Sequence, residues 1–107
     1  GAPSVEIREA LVHEVRKTPT GFALVISGDI TIGTVKGLKA DHAILTHPFG
    51  NPAFHVANEA EYEARLRSYV GKSVAVQVWG DILTIESGRV TKIHGGQVNP
   101  LYPTNEE

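Results

Sequence analysis

The sequence predicts a mainly β domain with one helix, folded as a small antiparallel barrel of five to six strands. Three observations lead there. Short apolar runs with period-two alternation recur along the chain, separated by Gly, Asp, Ser and Pro. The one clear helix lies at about residues 59–70, where several helix signals agree. One helix cannot cover both faces of so many strands, so the sheet has to bury its second face by curling on itself. Another small α+β barrel or roll would meet the same requirement.

The first stretch, 5–16, fits two descriptions. Val5, Ile7, Leu11, His13 and Val15 suit a strand with a bulge near Glu9-Ala10, while Ile7, Leu11 and Val15 equally suit a helix behind a Ser4 cap. The strand is preferred because Lys17-Thr18-Pro19-Thr20-Gly21 reads as a hairpin loop before a strong strand at 22–26. Ser27-Gly28-Asp29 is expected to turn that strand into Ile30-Thr31-Ile32, with Val35 continuing and a shorter strand at 43–46.

The helix is the clearest element. Asn58 is a good N-cap, and Glu61 sits where a capping-box acid belongs. Glu61–Arg65 and Glu63–Arg67 are i,i+4 pairs in the favourable order, and Tyr62, Leu66, Tyr69 and Val70 form one apolar stripe. Gly71 follows as a left-handed stop. Val74, Val76 and Val78 then alternate with Ala75, Gln77 and Trp79. Breaks at Gly80-Asp81 and Ser87-Gly88 divide the remainder into three short strands, an antiparallel meander ending near Ile93. The Gly-Asp-Ile triplet at 28–30 recurs at 80–82, which turn chemistry used twice explains.

This element order resembles the oligonucleotide/oligosaccharide-binding (OB) fold, a five-stranded barrel with a helix between its third and fourth strands. The resemblance covers about residues 5–94. Two features depart from it: a strand too many after the helix, and a long loop before it.

The whole chain, 1–107, reads as one domain. Gly1-Ala2-Pro3-Ser4 reads as a tag remnant or processed end, and 95–107 as a frayed tail. Cysteine is absent, which excludes disulfides and thiol chemistry and fits a cytoplasmic compartment, although an exported protein is compatible too. The longest apolar runs are five residues, so no helix spans a membrane. Ten Lys and Arg face twelve Asp and Glu, two of them at the very end. Such a neutral domain draws in nucleic acid only through a local patch.

Three histidines, His42, His47 and His55, fall close together with Asp41 beside the first, a weak candidate set for a metal-dependent enzyme. Their spacing matches no metal motif, and on a strand His42 and His47 would face opposite sides. No cofactor motif is present: the serines lack a nucleophile-elbow context and no phosphate loop occurs. The reading favoured is therefore a non-catalytic binding module. Single-stranded nucleic acid is the specific expectation that the OB resemblance implies. Its contacts would be Trp79, Phe49 and Phe54 from strand and loop, with Arg16, Lys17, Lys36 and Lys39 at the rim; Arg89 and Lys92 could join them. A protein-interaction or assembly role is the alternative, since exposed strand edges can pair with a partner or build a homo-oligomer.

Overall fold

In the computed structural model, residues 2–48, 58–98 and 101–104 are described. The ambiguous first stretch is a strand, β1 (Val5–Thr18), and its pairing slips between Ile7 and Leu11, where the bulge was expected. A two-residue turn at Pro19-Thr20 returns the chain as β2 (Gly21–Ile32), and Gly33-Thr34 returns it again as β3 (Val35–Pro48). After the helix α1 (Glu59–Arg67) come β4 (Ser73–Glu86), β5 (Arg89–Val98) and the short β6 (Tyr102–Pro103).

The strands are longer and fewer than the breaker residues suggested. Ser27-Gly28-Asp29 does not end β2: the strand passes through with a one-residue slip against β3. Gly80-Asp81 does not end β4, because Gly80 turns through φ 64° while Trp79↔Gln97 and Asp81↔Gly95 keep one register. Both Gly-Asp pairs thus interrupt regularity inside a long strand, a task for which glycine has the needed freedom. The expected three-strand meander is accordingly two strands, joined by Ser87-Gly88 with both residues at positive φ. The basic segment 36–39 lies within β3. The tail expected to fray from Gly95 instead continues β5 to Val98, and Leu101 is buried.

The six strands form one mixed sheet in the order β1-β2-β3-β5-β4-β6, with β1 also pairing β4. The expectation of an all-antiparallel arrangement fails at one pair: β3 and β5 run parallel. Parity explains why. β1 to β3 alternate in direction; β4 opposes β1 and β5 opposes β4, so β5 points the same way as β3. A circuit of five pairings cannot alternate throughout.

Val5, Ile7, Leu24, Ile26, Leu45, Val76, Val78 and Ile93 are among the residues that fill the space the strands wrap, all essentially inaccessible. The helix covers one end. Asn58 caps it, its side chain accepting from the Glu61 amide at 2.8 Å, and Glu63 pairs with Arg67 at 2.8 Å. Tyr62 and Leu66 are fully buried, with the Tyr62 ring 5.3 Å from that of Phe22. Burial holds the Tyr62 phenol well above the ordinary range. The regular helix ends sooner than the stripe implied, and Val70 is 44% exposed. Gly71, at φ 85°, supplies the left-handed stop.

Two substitutions probe this packing. A Cβ at Gly28 would meet the Glu9 carbonyl oxygen at 2.8 Å and the Ile7 side chain at 3.0 Å. Gly28→Ala is expected to cost about 1–3 kcal/mol in urea unfolding, because the obstacle is backbone. Tyr62→Ala should cost about 3–5 kcal/mol, the loss of a large buried ring at the helix–sheet contact.

Candidate functional site

The residues singled out in the sequence do not converge. Phe49, Phe54 and His55 lie outside the described residues, and His47 stands in β3 opposite Phe22. Trp79 lies on β4 out of phase with the buried Val74, Val76 and Val78, and is half-buried. Arg16 and Lys17 pair with Ala23 and Phe22 near the start of β2, whereas Lys39 pairs with Asp29. Six residues of strand separate the two groups, about 20 Å.

Most of these cations already have an acid. Arg16 holds Glu14 at 3.0 Å, Lys17 holds Glu59 at 3.0 Å, and Lys39 holds Asp29 at 2.6 Å. The hydrogen bond from Arg16 lowers the Glu14 pKa and raises that of Arg16, and the bond to Glu59 raises that of Lys17. Exposed pairs of this kind add little stability. Lys36 alone of the four has no ion-pair partner among the described residues.

A different cluster is assembled where two strands slip. Between Val12 and Glu14 the β1–β2 register shifts, and between Ile26 and Gly28 the β2–β3 register shifts. The slips bring His13 of β1 and His42 of β3 together over Ser27 of β2. The two imidazoles stack with centroids 3.9 Å apart and planes 13° from parallel. Ser27 Oγ accepts the His42 amide hydrogen at 3.0 Å and lies 2.7 Å from His13 Nε2. With the amide hydrogen accepted, the hydroxyl's own hydrogen is available to that nitrogen.

His42 adopts φ 56°, a conformation few side chains tolerate. The bond from its amide to Ser27 and the contact of its Nδ1 with Asp41 Oδ1 at 2.7 Å hold it there. Arg89 Nη1 lies 3.8 Å from the other Asp41 oxygen. The His42 hydrogen bond and its charge, then the charges of Arg89 and His13, lower the Asp41 pKa. The outer face of His42 stays open, its side chain being 62% exposed.

The same surface continues along the parallel β3–β5 pair. Ile44 faces Lys92 and Thr46 faces His94, with Thr46 Oγ1 2.7 Å from His94 Nδ1. Together with Thr84 and Ile93 these four line a groove of about 240 Å³. Lys92 has no ion-pair partner among the described residues.

Serine, histidine and aspartate meet here without forming a hydrolytic triad. A triad needs the acid on the second nitrogen of the imidazole that holds the serine. Here Ser27 contacts His13, whereas Asp41 contacts His42. Among the described residues no group of three or more possible ligands converges to hold a metal.

His13, Ser27 and His94 were not legible as site residues. The only sequence signal was the pairing of a bulge-prone segment with Ser27-Gly28, and it gives no partner for either histidine. No protein family model, curated protein or solved structure matches this chain.

Two measurements check this geometry. Ser27→Ala removes the hydroxyl that accepts from the His42 amide and bonds to His13, and should cost about 1–2 kcal/mol in urea unfolding. The Asp41 carboxyl should titrate in ¹³C NMR below its ordinary value of 3.8. A depressed folded-state pKa contributes stability that is complete above the unfolded value and lost as pH falls through the folded one. The contribution of Asp41 therefore disappears only in the acid limb, below about pH 4.

Proposed function

We propose that the chain is a non-catalytic binding module on an OB-type barrel, and that it binds single-stranded nucleic acid across the outer face of β2, β3 and β5. The carrying observation is His42: a flat, largely exposed imidazole braced from behind by His13, in the middle of that face. Bases stack on histidine as on other aromatic rings. Two further features support the reading. Five long strands with the helix between β3 and β4 agree with the element order on which the OB resemblance rests. Lys92 and the loosely held Arg89 stand on β5 beside the ring, where a phosphate backbone would pass.

The self-neutralised pairs of Arg16, Lys17 and Lys39 set the character of the binding. With at most two cations available, stacking contributes more than charge. The log–log salt slope should lie near −1.4, about −0.7 per neutralised phosphate on a single strand. The test is fluorescence anisotropy of a labelled pyrimidine 12-mer over a salt series. His42→Ala should weaken binding about tenfold, within the range of one lost base stack. Lys92→Gln should make the slope shallower by about 0.7. Absence of binding at low salt removes the reading, and a concentration-dependent oligomer under the same conditions would favour the assembly role.

A further inference from the structure

The two stacked histidines are held by different kinds of partner. His42 Nδ1 meets the Asp41 carboxylate at 2.7 Å. His13 Nε2 meets the Ser27 hydroxyl at 2.7 Å, and Ser27 Oγ already accepts the His42 amide hydrogen. The hydroxyl hydrogen is therefore directed to His13, which makes that Nε2 an acceptor and its ring neutral. A proton on His13 Nε2 would turn Ser27 into an acceptor twice over and leave its own hydrogen without that partner.

The stack also limits the charge that the pair can hold. Its rings meet face to face, with centroids 3.9 Å apart. Two imidazoliums so placed repel strongly, whereas one imidazolium on a neutral ring keeps the contact. The charged groups around the pair favour His42 for that single proton. Asp41 of β3 stays ionised, because the hydrogen bond from His42, first among several causes, lowers its pKa. From β5, Arg89 engages the other Asp41 oxygen at 3.8 Å, and Lys92 stands further along, opposite Ile44. β2 brings the uncharged Ser27, and Glu14 of β1 is taken up by Arg16 at 3.0 Å.

We propose that the pair is a one-proton device that sets the charge of the binding face: as the pH falls below neutral, His42 takes a proton and Asp41 holds it there, while His13 stays neutral beneath. The neutral pair offers a ligand a flat ring without charge. The protonated pair offers the same ring with a positive charge, beside Arg89 and Lys92. An anionic strand binds the charged form better, so it draws the proton on, and by the same linkage acid tightens binding. The device rests on the stack alone; its effect on affinity rests on the nucleic-acid reading.

The test has two arms. In the first, the imidazole ¹⁵N resonances of the free, full chain are followed from about pH 8 to about pH 5, the range in which histidines titrate. His42 should complete its proton uptake before His13 begins. Asp41→Asn keeps a hydrogen-bonding group without the charge, and should move the His42 uptake to lower pH. Simultaneous protonation of both rings, or an unchanged His42 in Asp41→Asn, overturns the device. In the second arm, anisotropy of the labelled pyrimidine 12-mer is measured over the same range. Affinity should rise as the pH falls, by at most about tenfold per pH unit, the limit for one proton. The salt slope should steepen by about 0.7 as a third cation joins Arg89 and Lys92. His42→Gln is uncharged at every pH and should abolish the rise, which separates His42 from His94. A rise that survives in His42→Gln, or one steeper than the one-proton limit, overturns the link to affinity. Failure to bind the strand at any pH overturns the nucleic-acid reading and that link together, and the ring titration still decides the device.

Discussion

Every long strand in this molecule has to bend, and the rest of the structure depends on that. β1 makes ladders with both β2 and β4, and β3 with both β2 and β5, although each is fourteen residues long. A straight strand of that length, about 46 Å, would overshoot a core built by a chain of this size. The slips in β1, β2 and β3 and the left-handed Gly80 of β4 shorten and turn the strands so that apolar residues on five of them face one volume. The cost of each irregularity is an unpaired backbone group or a strained dihedral. At His42 a side-chain hydroxyl two strands from β5 compensates for both.

The same irregularities create the surface where a ligand is proposed to sit. A regular ladder would direct the residues at 13 and 42 by strict alternation; an extra residue changes that phase. The concave parts of the molecule are thus by-products of how the strands of a small β domain bend over its core.

Period and capping chemistry were legible in the sequence: the helix with Asn58 and Gly71, the alternation of Val74, Val76 and Val78, and the bulge near Glu9-Ala10 all follow from local residue patterns. What could not be read was non-local. Gly-Asp is good turn chemistry, yet whether it ends a strand or merely bends it depends on whether a neighbour continues the ladder beyond it. At 28–29 and 80–81 a neighbour does. The parallel pairing of β3 with β5 follows from how many strands join the circuit, which no local pattern encodes. The cations illustrate the same limit. Arg16, Lys17 and Lys39 look like candidate phosphate contacts in the sequence, and only the fold reveals that Glu14, Glu59 and Asp29 occupy them.

The turns divide the molecule into two unequal pieces. Pro19-Thr20 and Gly33-Thr34 make β1, β2 and β3 one continuous zigzag, and Ser87-Gly88 makes β4 and β5 another. Each can begin to form within microseconds from neighbours in the chain. The seams between them, β1 with β4 and β3 with β5, join residues as far apart as Val5 and Val78. Those contacts must wait for a large loop to close, and such closure slows folding. The helix lies between the two pieces in sequence and its Tyr62 packs on Phe22 of the first. Early docking of that ring would keep the second hairpin close to its partner and shorten the search for both seams.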